Sequence, residues 1–282
     1  MSSTPSDRTA RSVLSAYEAP ELRVLANRVG AAEALAKLHA GDLGPGLMAH
    51  VDPEPGAVES DAATTQQGAA RFVVPGDDEY PGELLAVLGD DRPLGLWVLG
   101  TSPLLDAVRT SVAITGGSSA TEYGRHVAQT LAGDVAESGR TVAAAMMFGI
   151  GMATLRSATT YGRALAVLAT GVDVVFPRDH GPLQHAIVEK GGHLVSEYGP
   201  GAPVSRARAR RRAQLLTALA PATVVVEASL FGNTMEVARG ALALGRPVWA
   251  VPGPVTSELS TGPHQLLREG AQVATGGADF LS

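Results

Sequence analysis

The feature that most restricts what this chain can fold into is the texture of residues 71–282. There, short runs of β-branched and aliphatic residues alternate with glycine- or serine-containing turns and amphipathic stretches. Six runs read as strands, at 112–115, 141–145, 165–169, 193–196, 222–227 and 247–251, and several are apolar on both faces. A strand of that kind has no face to give to water, so it belongs in the middle of a parallel sheet covered by helices on both sides. After the first run, Tyr123, Val127, Leu131 and Val135 recur at four-residue spacing, the period that lays one helix face on a sheet. The expected fold class is α/β, a parallel sheet with helices on both faces.

The amino-terminal part reads differently. Residues 8–39 carry Val13, Leu14, Leu22, Leu25, Val29, Leu35 and Leu38 at helical spacing, with Gly30 as a break. Residues 52–70 hold Pro53, Pro55, Gly56 and scattered acids without a sustained apolar period. The expected organisation is a small helical domain over 1–51, a linker over 52–70 and the α/β domain over 71–282. Cysteine is absent, so disulfides, thiolate metal sites and cysteine nucleophiles are excluded. No run approaches the roughly 20 apolar residues of a membrane span, and the polar start has no signal core. A cytoplasmic protein with no membrane partner is expected.

With a formal net charge of -6, the chain does not have the basic excess of a protein whose whole surface coats nucleic acid. Local charge says more. Of 22 basic residues only Lys37 and Lys190 are lysines, and Arg206, Arg208, Arg210, Arg211 and Arg212 crowd into seven positions. Such a run is either a solvated helix face or a phosphate clamp, since the planar guanidinium binds phosphate through two parallel hydrogen bonds.

Two turns offer backbone N–H groups to an anion. Gly116, Gly117, Ser118 and Ser119 lie between a strand and a helix, where the helix dipole attracts negative charge, and Gly232, Asn233 and Thr234 open a second helix after the run ending at Glu227. Both leave from the carboxyl ends of strands, where open parallel sheets bind ligands. The plain alternative is a tight turn with a hydroxyl or amide cap in each case. Neither turn has a dinucleotide or P-loop pattern, no histidine pair stands at metal-ligand spacing beside acids, and no nucleophile elbow is present. No cofactor is expected. Aromatic residues make up only 4% of the chain, so base stacking would rest on few side chains, such as Tyr123, Phe148, Tyr198 or Phe231, most of which read as core.

Several runs together resemble the DprA/Smf family of DNA-processing proteins. They are Thr170-Gly171-Val172-Asp173-Val174-Val175-Phe176-Pro177, Leu194-Val195-Ser196-Glu197-Tyr198-Gly199-Pro200-Gly201, Val224-Val225-Val226-Glu227-Ala228 and Gly245-Arg246-Pro247-Val248-Trp249-Ala250-Val251-Pro252-Gly253. The resemblance covers about 71–282 and, more loosely, the helical start. It implies an extended Rossmann-like domain that binds single-stranded DNA, forms a homodimer and hands the strand to a RecA-type recombinase, without catalysis.

The sequence departs from that family where DNA contacts are expected. The usual Gly-Ser-Arg is Gly116, Gly117 and Ser118 here, and the usual Phe-Pro-x-Arg-Asn-Arg aligns with Ala209-Arg210-Arg211-Arg212-Ala213-Gln214, keeping Arg212. The expectation is a divergent member without the carboxyl-terminal winged-helix domain that many members carry. The leading expectation is a DNA-binding surface built from the arginine run and both glycine turns, with Arg125 and Arg178 extending the track. The alternative is a nucleotide-binding sensor or a phosphoribohydrolase-like enzyme of the related lysine-decarboxylase-like fold, suggested by Gly232-x-Thr234-x-Glu236.

Overall fold

The computed structural model describes residues 5–43 and 70–281. The expected linker at 52–70 lies outside the described residues apart from Ala70, and the expected boundary at 51 lies outside them too.

Nine strands form one sheet in the order β1-β2-β6-β5-β4-β3-β7-β8-β9. The strands are β1 (Arg71–Val73), β2 (Leu96–Leu99), β3 (Val112–Thr115), β4 (Val142–Ala145), β5 (Ala164–Val167), β6 (His193–Ser196), β7 (Ala222–Val225), β8 (Val248–Ala250) and β9 (Gln272–Val273). From β6 through β9 all neighbours are parallel, while β2 pairs antiparallel with both β1 and β6. All six expected strands are present, with ends that differ from the expected ones by two residues at most. The three added strands are the two antiparallel ones and the two-residue β9 at the opposite edge.

Alternation along the central strands explains the two-sided burial. Val112, Ile114, Val142 and Ala144 face one core, with Leu131, Val135, Ile150 and Leu155, whereas Ala113, Ala143, Leu165 and Val167 face the other, with Leu104, Val108, Leu215 and Leu219. The first core is closed by α6 (Glu122–Glu137), α7 (Ile150–Tyr161) and α8 (Gly181–Glu189); the second by α5 (Leu104–Arg109) and α9 (Arg206–Leu219). The short α4 (Gly82–Leu85) joins the second through Leu85. On the β8 side, α10 (Asn233–Ala243) and α11 (Thr261–Arg268) cover Val225 and Ala250, and α12 (Ala278–Leu281) ends the described chain. Tyr123 is a correction to the expected helix face: it is exposed, its hydroxyl donating to the Pro252 carbonyl at 2.9 Å.

Three amino-terminal helices, α1 (Pro5–Ser15), α2 (Pro20–Val29) and α3 (Ala31–His39), bury Ala10, Leu14, Leu22 and Ala26 against Leu94 of the segment before β2. Polar ties complete the docking. Arg8 pairs with Asp77 at 2.7 Å, and Asn27 donates to the carbonyls of Asp90 and Arg92. The deepest tie is built by α9, whose Arg211 binds both oxygens of Glu197 at 2.7 and 2.8 Å and reaches Asp91 at 2.7 Å. Asp91 in turn accepts from Arg23 of α2. Burial pulls the Arg211 guanidinium down, but Glu197 and Asp91 beside it hold its pKa above the ordinary arginine value. Replacing Arg211 by alanine leaves Glu197 buried and unpaired. Arg211→Ala is therefore expected to lower the unfolding free energy by about 3–5 kcal/mol, whereas the more exposed pair lost in Arg28→Ala accounts for about 1 kcal/mol or less; urea denaturation of both variants checks the contrast.

Candidate anion-binding cleft at the switch point

Strand β3 is where the chain reverses its direction of growth across the sheet: β4, β5 and β6 follow on one side of it, β7, β8 and β9 on the other. Loops leaving neighbouring strands there diverge and leave a crevice beyond the carboxyl ends. In this protein the crevice is a cleft of about 240 Å³ lined by Thr115, Gly117 and Ser118 at and after the end of β3, Ala145 and Met147 at and after the end of β4, Ala228, Ser229, Phe231 and Gly232 between β7 and α10, Asn233 and Thr234 at the start of α10, and Arg212 of α9. The two glycine turns singled out in the sequence thus meet in one cleft. The Thr234 hydroxyl ties them together by donating to the Gly116 carbonyl at 2.9 Å.

The first turn does not leave its helix end open. Thr121 caps α6 by accepting from the Gly124 N–H at 3.0 Å, and the carboxylate of Glu227 accepts from the Thr121 N–H at 3.0 Å and the Thr121 hydroxyl at 2.6 Å. The Glu227 carbonyl also accepts from Gly117 N–H at 2.7 Å. An internal carboxylate therefore occupies the positive end of α6, in the position that an external anion would take. Gly124 is required by this fit, because a Cβ there would lie 2.0 Å from Glu227 Oε2. In the sequence Glu227 stands at the end of an apolar run, and nothing in its spacing announces that it reaches back across 106 residues.

The second turn is open. Helix α10 starts after Gly232, whose φ of +118° suits glycine, and no side chain caps it. Its first turn lines the cleft through Asn233 and Thr234.

The arginine run does not act as one surface. Arg208, only 1% exposed, pairs with Glu18 of the amino-terminal helical unit and lies 4.7 Å over the Tyr198 ring. Arg211 is held as described above, while Arg206 and Arg210 are exposed, with Arg210 beside a separate hollow near Tyr17, Glu18 and Arg23. Helical geometry explains the split: 211 and 212 lie three and four residues after 208, one turn along, and all three fall on the buried side. Arg125 folds back onto Glu122 and the Ala120 carbonyl, and Arg178 and Ser119 are exposed outside the cleft lining. The track expected to run through Arg125, Arg178 and five clustered guanidiniums is thereby reduced to Arg212 within the cleft.

Arg212 is 7% exposed and has no carboxylate partner among the described residues. One Nη donates to the Met146 carbonyl at 2.9 Å, the other contacts Met147 Sδ at 3.6 Å, and Nε is unpartnered. Burial alone pulls its pKa down to about 10. A buried, uncompensated cation at the wall of a cleft is unfavourable until an anion reaches it.

A doubly wound α/β protein with an anion-seeking guanidinium at its switch point is the class that fold and cleft define. The chain belongs to the DNA recombination-mediator protein A family, whose model matches residues 71–282. A DNA processing protein DprA of Mycobacterium tuberculosis is 37% identical over 273 residues, covering 93% of this chain and 70% of that one. The X-ray structure of DNA processing protein A from Streptococcus pneumoniae superposes with a TM-score of 0.77 at 25% identity, covering 100% of this chain and 98% of that one. The Helicobacter pylori DNA processing protein A, described for its single-stranded DNA binding mode, shares the fold with a TM-score of 0.65 at 23% identity over 75% of this chain and 94% of its own.

The charge state of Arg212 has a definite sign of effect. Its folded pKa lies below the ordinary value, so above pH 10 the folded protein binds fewer protons than the unfolded one and the cost of burying the charge fades; below pH 10, including neutral pH, that cost stands. Arg212→Met should therefore stabilise the unliganded protein by about 1 kcal/mol. Millimolar inorganic phosphate should raise the melting temperature of the wild type at neutral pH and leave that of Arg212→Met unchanged, as read by calorimetry.

Proposed function

We propose that the protein binds single-stranded DNA through the switch-point cleft and acts as a recombination mediator that delivers the strand to a RecA-type recombinase. The observation that carries the reading is Arg212, a buried guanidinium with no carboxylate partner among the described residues, lining a cleft together with the start of α10, which has no side-chain cap among those residues. Phosphate satisfies both groups, and an aligned arginine is the one the family motif retains at this position. Family membership supports the rest of the reading: the recombinase partner, a homodimer, a cytoplasmic setting and a binding role without catalysis.

The nucleotide-enzyme alternative loses its main support in the geometry of the second turn. Its argument needs Thr234 free to serve a nucleotide, and the Thr234 hydroxyl instead donates to Gly116.

The test is single-strand affinity measured over a range of salt concentrations. Arg212→Ala is expected to weaken binding about ten-fold or more and to reduce the magnitude of the slope of log K against log salt by about 0.7, the loss of one phosphate contact on a single strand. Arg210→Ala, which removes an exposed guanidinium outside the cleft, should change both far less. Unchanged affinity and slope in Arg212→Ala would remove the reading. A variant that also removes Arg211 is unsuitable, because it disturbs the docking of the helical unit.

A further inference from the structure

The cleft has an apolar lip that an anion alone does not explain. Phe231 is 87% exposed, in a chain with only 4% aromatic residues, and it lines the same cleft as Arg212. Its neighbour Leu230 is also exposed, at 38%, although Ala228 and Met235 on either side of the turn are buried. The turn is held rather than slack: the Ser229 hydroxyl donates to the Phe231 carbonyl at 3.1 Å, and the Met235 and Glu236 N–H groups donate to the Gly232 carbonyl. An unburied phenyl ring is thus presented one residue before the N-cap of α10, about 3.8 Å along the chain by Cα spacing.

Resting on the reading above, we propose that Phe231 is a base platform, on whose ring an unstacked base of the bound strand lies while the neighbouring phosphate meets Arg212 and the start of α10. A single strand has the two chemistries that the cleft asks for, a charged backbone and flat apolar faces within one nucleotide of each other. A duplex has the first but keeps its base faces covered by their neighbours. Because every base has a π-face, a lone ring confers preference for unpaired bases without preference for sequence. The same charge complementarity argues for a nucleic-acid occupant over a second copy of this chain, whose net charge is -6.

The experiment uses the full chain with two probes, an oligothymidylate and an abasic deoxyribose-phosphate polymer of equal length. The wild type is expected to bind the oligothymidylate about ten-fold more tightly than the abasic polymer, a difference of about 1.4 kcal/mol. Phe231→Ala removes that preference, leaves abasic binding unchanged and keeps the melting temperature, since the ring packs on little. Phe231→Tyr retains the preference, and Arg212→Ala weakens binding to both polymers. Phe231→Ala binding the oligothymidylate as well as the wild type does, or losing affinity equally for both polymers, would overturn the platform alone. So would conversion of a dimer to a monomer in Phe231→Ala by sedimentation, which would place the ring between copies. Failure of the wild type to bind either polymer would instead overturn the strand reading, and the platform with it.

Discussion

Glu227 organises the carboxyl edge of the sheet. It follows β7, and β7 lies beside β3 at the point where the chain switches sides. Its carbonyl takes the Gly117 N–H while its carboxylate takes the N–H and hydroxyl of Thr121, so one residue fastens the loop after β3 to the strand beside it and neutralises the positive end of α6. The consequence is a division between two similar-looking glycine turns. The one that looks more like an anion site is already filled from within, and the one that looks like an ordinary helix start is open. In the proposed reading a phosphate meets α10 and Arg212, because the competing position at α6 is occupied by a group of the same charge.

Helix α9 divides its arginines in a related way. Arg208 and Arg211 turn towards Glu18, Glu197 and Asp91 and hold the amino-terminal helices against the sheet, whereas the next residue, Arg212, turns towards the cleft. Docking of the helical unit and the position of the cleft guanidinium therefore depend on one rigid element. The preference for arginine over lysine follows the same logic elsewhere. Arg246 gathers the carbonyls of Thr217, Ala218 and Ala220 at the end of α9 together with that of Leu84, and Arg140 takes those of Phe280 and Leu281 at the end of α12. A planar fork with five donors can satisfy several carbonyls at a helix carboxyl end, where a cation is also favoured by the dipole; an ammonium on a flexible stem is less well matched.

The parallel part of the sheet was legible because it has a strong local cause. Residues such as Val112, Ala113 and Ile114 are apolar on both faces, and only a covered central strand tolerates that. Strands β1 and β2 were missed because their partners are long-range antiparallel neighbours, and the three residues of Arg71–Val73 carry too short a pattern to read. In the cleft, the two glycine turns were legible from their place after strands, and Arg212 from its motif. The fate of Arg208 and Arg211 was not, because a charge run announces solvation and gives no sign of acids supplied from Glu18, Asp91 and Glu197. The aromatic residues failed in the opposite sense: most of Tyr123, Phe148, Tyr198 and Phe231 read as core from their type, yet only Tyr198 is buried, beneath Arg208, and the other three are exposed. Amino-acid type alone does not tell a ring that fills a core from a ring held at the lip of a cleft.

The acidic balance of the whole chain and the binding of a polyanion are compatible for a reason the arginines make concrete. Net charge governs long-range attraction and is screened within about 10 Å at ordinary ionic strength, whereas a group such as Arg212 acts at contact distance from a wall that excludes water. Among the described arginines only Arg208, Arg211 and Arg212 are buried, and the first two are taken up by the carboxylates of Glu18, Glu197 and Asp91. The third, Arg212, is a desolvated cation in a cleft of about 240 Å³ that it shares with a helix start without a side-chain cap. In the proposed reading such a site takes a short stretch of backbone and has few contacts to spare for a long one. On that reading, affinity for an extended strand comes from groups that follow the chain beyond its phosphate, and Phe231, exposed at the lip of the cleft, is placed to be one of them.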